Sequence, residues 1–347
     1  MTAFTSLSLA MFKASIRDKA ALALTFFFPL MFLVVFAVLF GGGMGSSVKI
    51  AVVGDGQVVS ALSKAEGVDL VRFDNSAAAI DQLRDGDLAA VVLSQGDGVD
   101  VRYANGDRPE TAPALAKVSE AVASANAGVG GAPPKYSMQQ APIEAAYAPI
   151  QYLTPGILSW GVASAAVFSS ALTLVAWRRK QVLRRLQLAP VGRVSVLTAR
   201  LAIATGISLM QAVLFVAVAS LPVFGLQLSN DWWLAIPLLV LGTFAFFSVG
   251  MLTGAVCQTE DSVSGAANLV VLPMALLGGS FFPVDKAPEW VKFITNLLPL
   301  KHMNEGMLDV LVRGKGIDAL LLPGAVLIGF TIVISVFAAM FFRWEDA

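Results

Sequence analysis

The chain is short of charge, cysteine and histidine. Charged residues make up 14% of its 347 positions, whereas a soluble domain carries about 25%. Apolar residues reach 56%, a balance that belongs to membrane proteins. A single cysteine, Cys257, excludes an internal disulfide framework. A single histidine, His302, argues against a His-based metal site or catalytic triad. Basic and acidic residues are equal at 24 each, so net charge offers no case for a nucleic-acid partner. No run reads Gly-x-x-x-x-Gly-Lys-Ser/Thr, the loop whose amides and lysine cradle phosphates. If the chain pumps a solute with ATP, hydrolysis takes place on another chain.

What is abundant is apolar sequence in long runs. A bilayer core about 30 Å thick needs roughly 20 apolar helical residues. Six stretches meet that length: Ala20–Gly42, Tyr152–Trp177, Leu201–Leu226, Trp232–Cys257, Ser262–Phe282 and Leu320–Phe342. None holds Asp, Glu, Lys, Arg or His. Ion-coupled carriers keep ionisable groups inside the membrane to carry the coupling ion, so the energy source is expected elsewhere. The glycines Gly41–Gly43 after the first stretch leave a cleaved signal peptide open. Its apolar run is longer than a signal peptide's, and it is read as a retained helix. Trp160, Trp177, Trp232, Trp233, Trp290 and Trp344 fall mostly near stretch ends, as an interfacial aromatic belt would.

Basic residues set the orientation. Lys13, Arg17 and Lys19 precede the first stretch. Arg178, Arg179, Lys180, Arg184, Arg185, Arg193 and Arg200 separate the second from the third. With six spans both clusters lie on one side, the cytoplasm, together with both termini. Lys286, Lys292, Lys301, Arg313 and Lys315 then fall outside, against the rule. The six-span reading is kept because the first two clusters are denser and because of the resemblance described below.

Between the first two stretches, Met44 to Pro149 has ordinary soluble composition. Val48–Val53 reads as a strand ending in the turn Gly54-Asp55-Gly56. Leu70–Phe73, Leu88–Leu93 and Val99–Tyr103 read as further strands. Ser76–Leu83 reads as a helix with Ser76 as N-cap and a stop near Gly86. Strands alternating with helices predict a small α/β domain. Ser124–Pro134, rich in Gly, Ala and Pro, reads as a flexible linker. Gly54-Asp55-Gly56 lacks the third glycine of a dinucleotide fingerprint, since Val59 stands there, and is read as a plain turn.

The segment Trp177–Arg200 carries the most information. Val182, Leu183 and Leu186 recur at helical spacing among Arg178, Arg179, Arg184 and Arg185, predicting a short basic amphipathic helix at the membrane surface. Arginines that only held topology and touched anionic lipid, at about 1 kcal/mol each, would explain the charge. They would not explain the break at Pro190 and Gly192 before a new helix.

Here a resemblance becomes definite. A basic stretch leading into Leu183, Leu186 and Pro190 resembles the cytoplasmic coupling region of ABC-2 type exporter permeases. Lys180-Gln181-Val182 departs from the Glu and Gly-Thr that the family often carries there. A second stretch, Gly278-Gly279-Ser280-Phe281-Phe282-Pro283 with Pro288-Glu289-Trp290 and Leu298-Pro299-Leu300, resembles the family's outer hairpin before the last span. Phe4, Leu7, Met11 and Ala14, near one helical face, resemble its amphipathic elbow helix. The pattern Ala79, Ile80, Leu83, Gly86 resembles the subgroup with an extracytoplasmic domain after span one.

The resemblance implies a mostly α membrane fold. It consists of an elbow helix over 1–19, span one over 20–42, an extracytoplasmic α/β domain over 44–149, and spans two to six within 150–347. It implies a cytoplasmic coupling region over 177–200 and a re-entrant outer hairpin over 278–315. ATPase coupling falls to Arg178, Arg179, Arg184, Arg185, Leu186, Leu188, Pro190 and Arg193. The outer gate falls to Gly279, Phe281, Phe282, Pro283, Trp290 and Pro299. Phe26, Phe27, Phe28, Phe168 and Asn268 are substrate-path candidates. The chain would bind no cofactor, leaving ATP and magnesium to a partner ATPase, and would pair with a second permease in the lipid of the cell membrane. Substrates of such exporters include drugs, lipids, glycans and peptides. A membrane-anchored sensor acting through its outer domain is the alternative.

Overall fold

The computed structural model describes residues 11–13, 17, 19–40, 48–85, 87–95, 98–105, 111–127, 136–144, 149–182, 192–282, 284 and 287–341. The chain divides into two compact units, 1–37 with 151–347, and 38–150.

The smaller unit is an α/β layer structure. Its elements are β1 (Val48–Val53), α2 (Gln57–Leu62), β2 (Val68–Phe73), α3 (Ser76–Asp85), β3 (Ala90–Gln95), β4 (Gly98–Asn105), α4 (Thr111–Ala127) and β5 (Ser137–Glu144). The sheet order is β2-β1-β3-β4-β5. β1 runs parallel to β2 and to β3, β3 is antiparallel to β4 from Ala90↔Tyr103 to Gln95↔Gly98, and β4 is parallel to β5. Alternation along the strands builds two cores. Ile50, Val52, Ala90 and Val92 face α2 and α4, while Ala51 and Val91 face Ala79 and Leu83 of α3. The chain steps from β1 to β2 on one side, then back across β1 to β3. Right-handed crossovers therefore put α2 and α3 on opposite faces.

The strand expected at Val48–Val53 is β1, and the other expected strands lie within two residues of β2, β3 and β4. Three details differ. The cap of α3 is Asn75, one residue before Ser76: its Oδ1 accepts from the Ala77 N–H at 2.8 Å, as an N-cap side chain does. Ser124–Ala127, expected as linker, are the last turn of α4. They stay helical because Ala121, Val122 and Ala125 are buried against the sheet. α4 and β5 carry no strong sequence signal and were not expected.

The larger unit is helical. α1 (Lys19–Phe40) is followed, after the sheet, by α5 (Pro149–Arg179), α6 (Arg193–Ala219) and α7 (Ala235–Val256), the last entered through the 3₁₀ turn Trp232–Leu234. Then come α8 (Glu260–Leu277), α9 (Glu289–Asn296), α10 (Pro299–Leu308) with a π turn at Asp309–Arg313, and α11 (Asp318–Phe341). Among the described residues four helices are long and apolar enough to cross a membrane, at 150–179, 194–219, 232–256 and 318–341. Leu269 and Leu272 on α8 and Ile332 and Met340 on α11 stay exposed, an apolar surface that belongs in lipid rather than water. The chain is a multi-pass membrane protein.

Two boundaries moved. α6 begins at Arg193, so Arg200 lies inside the helix and not in the segment before it. The fifth apolar stretch stops being helix at Leu277, where Gly278 and Gly279 turn the chain.

The helices pack closely through small residues, as membrane helices do. A Cβ added to Gly250 would overlap Ser170 and the Val167 backbone, and one added to Gly254 would press on Ala171. These two glycines, four apart on α7, bring its backbone against α5. The Ser170 hydroxyl donates to the Ala166 carbonyl of its own helix at 2.7 Å and lies 3.2 Å from the Phe247 carbonyl across that contact. Pro29 inside α1 has no N–H for the Thr25 carbonyl. Gln211 of α6 donates to that carbonyl instead, at 3.1 Å, which keeps it satisfied in an apolar medium.

Candidate functional site

Two regions of the larger unit hold the residues singled out from the sequence. The first is the shared end of α5, α6, α7 and α8. α5 ends where Gln181 takes a left-handed φ of 54°. Arg178, in its last turn, donates from Nη1 to the carbonyl of Cys257 at 3.1 Å. Cys257 is the C-cap of α7, and a cation there meets the negative end of the helix dipole. Arg179 pairs with Glu260 at 3.1 Å. Both partners are largely exposed, so the pair by itself is worth less than about 1 kcal/mol. Glu260 stands in the first turn of α8, behind a reciprocal Thr259–Ser262 capping box. Arg200 of α6 donates from Nη2 to the Ser169 carbonyl at 3.1 Å and also reaches Thr173 Oγ1. Both acceptors belong to α5.

Of the residues expected to couple to an ATPase, Arg178 and Arg179 are therefore held by α7 and α8. Arg193 is the first residue of α6, its side chain outside the description. Arg184, Arg185, Leu186, Leu188 and Pro190, with most of the expected surface helix, lie outside the described residues. So does most of the expected elbow helix, of which residues 11–13 and 17 are helical.

The second region is the hairpin after α8. Gly279 has φ +76°, and a Cβ there would lie 3.1 Å from the Tyr152 hydroxyl. Only glycine suits that backbone without strain. The Tyr152 hydroxyl donates to the Gly279 carbonyl at 2.5 Å. Asn304 of α10, 6% exposed, donates to the Gly278 carbonyl at 2.7 Å and the Ser280 hydroxyl at 2.9 Å. Gly156 of α5 leaves room for the Ser280 backbone. Pro299 opens α10 at its first turn and is buried, a position where the missing N–H costs nothing. A polar cavity of about 100 Å³ lies here, lined by Tyr152, Asn304, Lys301, Glu305 and Arg313 among others. Lys301 pairs with Glu305 at 3.0 Å, and Asp309 with Arg313 and Lys315 at 2.7 and 3.0 Å. The basic residues that ran against the orientation rule are thus partly neutralised locally. Ser229 donates to two carbonyls of the π turn, from its hydroxyl to Val310 and from its backbone N–H to Leu311.

Phe281 turns inward and Phe282 outward. Phe281 meets Phe32, Phe36 and Trp160 at ring-centroid distances of 6.0, 5.6 and 5.2 Å. Phe28 meets Trp160 at a centroid distance of 5.8 Å with the ring planes tilted by 51°. One aromatic cluster therefore joins α1, α5 and the hairpin. Trp160, read as part of an interfacial belt, is 6% exposed inside it, because it sits near the middle of α5 rather than at its end. Phe27 and Asn268 are exposed on α1 and α8, and Phe26 and Phe168 are half-buried. Trp290 is exposed on α9, and Pro283 lies outside the described residues. Sequence reasoning missed Tyr152, Asn304, Phe32, Phe36 and Glu260. Their signal was a polar group bordering apolar sequence, or a phenylalanine repeating every four residues along α1. Among the described residues no group of three or more His, Cys, Asp or Glu could hold a metal ion.

Comparison with known proteins adds the family. Residues 19–340 match the family described as ABC-2 family transporter protein. Nodulation protein J of Neorhizobium galegae is 38% identical over 66 residues, 19% of this chain and 25% of that protein. Inner membrane transport permease YadH of Escherichia coli K12 is 23% identical over 158 residues, 45% of this chain and 60% of YadH. ABC transporter G family member 20 of Dictyostelium discoideum is 25% identical over 97 residues, 27% of this chain and 13% of that protein. In each case the chain spans less than two thirds of the relative's own length.

Proposed function

The chain belongs to the ABC-2 family of transporter proteins, a membrane subunit of an ABC transporter, and from that premise we propose that it is the permease of an ATP-driven exporter. The family match over residues 19–340 carries the reading. It is supported by a sequence with no phosphate-binding loop of its own. The ATPase is a separate subunit, which binds ATP and magnesium. It docks at the cytoplasmic segment 177–200, with Arg184, Arg185, Leu186, Leu188 and Pro190 as contacts. Two permeases, identical or homologous, pair in the cell membrane, and YadH's name as an inner membrane transport permease supports that location. Six spans place both termini in the cytoplasm and the α/β unit outside. The six are the four long apolar helices with α1 and α8.

In this reading ATP-driven closure of the ATPases pushes on the segment between α5 and α6, and the hairpin at Gly279, Phe281, Phe282, Pro283, Trp290 and Pro299 gates the outer exit. The cargo is a drug, lipid, glycan or peptide passing the apolar faces near Phe26, Phe27, Phe28, Phe168 and Asn268. Charge reversal at Arg184 and Arg185 tests the coupling step. The expected result is a permease that inserts normally but no longer stimulates its ATPase. Undiminished stimulation in the purified complex counts against it. If no P-loop ATPase is pulled down from native membranes with the chain, the sensor reading replaces it.

A further inference from the structure

We propose that Arg178 and Arg179 are positioning residues of a relay inside the permease, carrying movement of α5 into α8 and the hairpin rather than touching the ATPase. The proposal rests on the permease reading above and assigns these two arginines differently within it.

Three observations carry it. First, both guanidinium groups already have acceptors within the subunit. Arg178 caps the last turn of α7 through the Cys257 carbonyl, and Arg179 pairs with Glu260 at the start of α8. The α7–α8 turn, Cys257 to Glu260, is thereby fastened to the end of α5. Second, α5 and α7 are closely packed. Their backbones meet at Gly250 and Gly254, and the Ser170 hydroxyl lies 3.2 Å from the Phe247 carbonyl. Arg200 ties α6 to the same helix through the Ser169 carbonyl and Thr173. The two helices flanking residues 183–191 in the chain are thus fastened to each other and to α7. Third, α8 extends from Glu260 to Leu277, with Pro273 inside it, and leads directly into Gly278–Phe282. That segment is gripped by Tyr152 and Asn304. A push on the α5 end reaches the hairpin through the Arg178 and Arg179 contacts and the length of α8. The Arg179–Glu260 pair is the exposed, chemically exchangeable link.

The test uses the full chain in complex with the ATPase that co-purifies with it, reconstituted in nanodiscs of bacterial polar lipid. A Cys257→Ser, Phe293→Cys background carries an environment-sensitive fluorophore on α9, where Phe293 is exposed. The readouts are the fluorescence change on adding ATP, magnesium and vanadate, and the basal ATPase rate. Arg179→Glu and Glu260→Arg are each expected to cut the fluorescence response at least threefold, with the ATPase still bound and its rate within twofold. The double exchange should restore most of the response, and Arg179→Lys should retain it. If either reversal fails to insert, Arg179→Gln and Glu260→Gln replace them, and a full response in both overturns the relay. A double exchange no better than the singles, or loss of the ATPase from Arg179→Glu, also overturns it and leaves the permease reading standing. No nucleotide response and no ATPase activity in the labelled parent complex, without changes at Arg179 or Glu260, overturns both.

Discussion

At the scale of single residues, glycine and proline decide what the apolar runs can do. The runs mark helices but do not say which face meets which. Gly250 and Gly254 settle that for α5 and α7, because only a hydrogen in place of a side chain lets the two backbones touch. Gly250→Ala should therefore destabilise the protein by about 1–3 kcal/mol, the usual cost of overpacking. Ser170→Ala should not rescue it, since the Val167 backbone is in the way as well. Thermal melts of the detergent-solubilised single and double variants check both points. Trp160 shows why position within a run matters more than residue type. A tryptophan near a span end suits the interface, but this one lies well inside α5 and becomes the hub of the aromatic cluster.

At the scale of elements, length and period were legible and ends were not. The strand β1 and the apolar cores of α5, α7 and α11 could be read directly, because a run of the right period has one stable way to hide its apolar face. The end of α8 could not. Leu277 to Phe282 carries no charge, yet the helix stops because Gly279 adopts a left-handed φ and polar groups from α5 and α10 take over the carbonyls of Gly278 and Gly279. Asn304 is the chief of these. Asn304→Leu removes two hydrogen bonds and leaves the Gly278 carbonyl short of its partner, a loss of about 1–3 kcal/mol. Hydrogen exchange should rise locally at 278–282 while α5 and α7 keep their protection. Unchanged exchange in the hairpin would show that Asn304 does not hold it.

At the scale of the whole molecule, the α/β unit has apolar cores on both faces of its sheet, which is what an independently folding domain needs. Residues 44–149 expressed alone should be soluble and melt cooperatively by circular dichroism. A non-cooperative melt would show that the unit depends on the helices. Chain class was set by the sequence by itself: few charges, long uncharged runs and a soluble insertion permit only a membrane protein with a separate domain, since removing so much apolar surface from water outweighs every other contribution. The hairpin and arginine motifs were visible too, as patterns. Only the tertiary structure decided what those residues touch. A guanidinium on a helix end carries no mark in sequence of whether it meets lipid, another protein or its own neighbour. Here Arg178 and Arg179 meet Cys257 and Glu260, some eighty positions away in the chain. Helix packing brings those groups together, and the packing turns on the close approach that Gly250 and Gly254 allow.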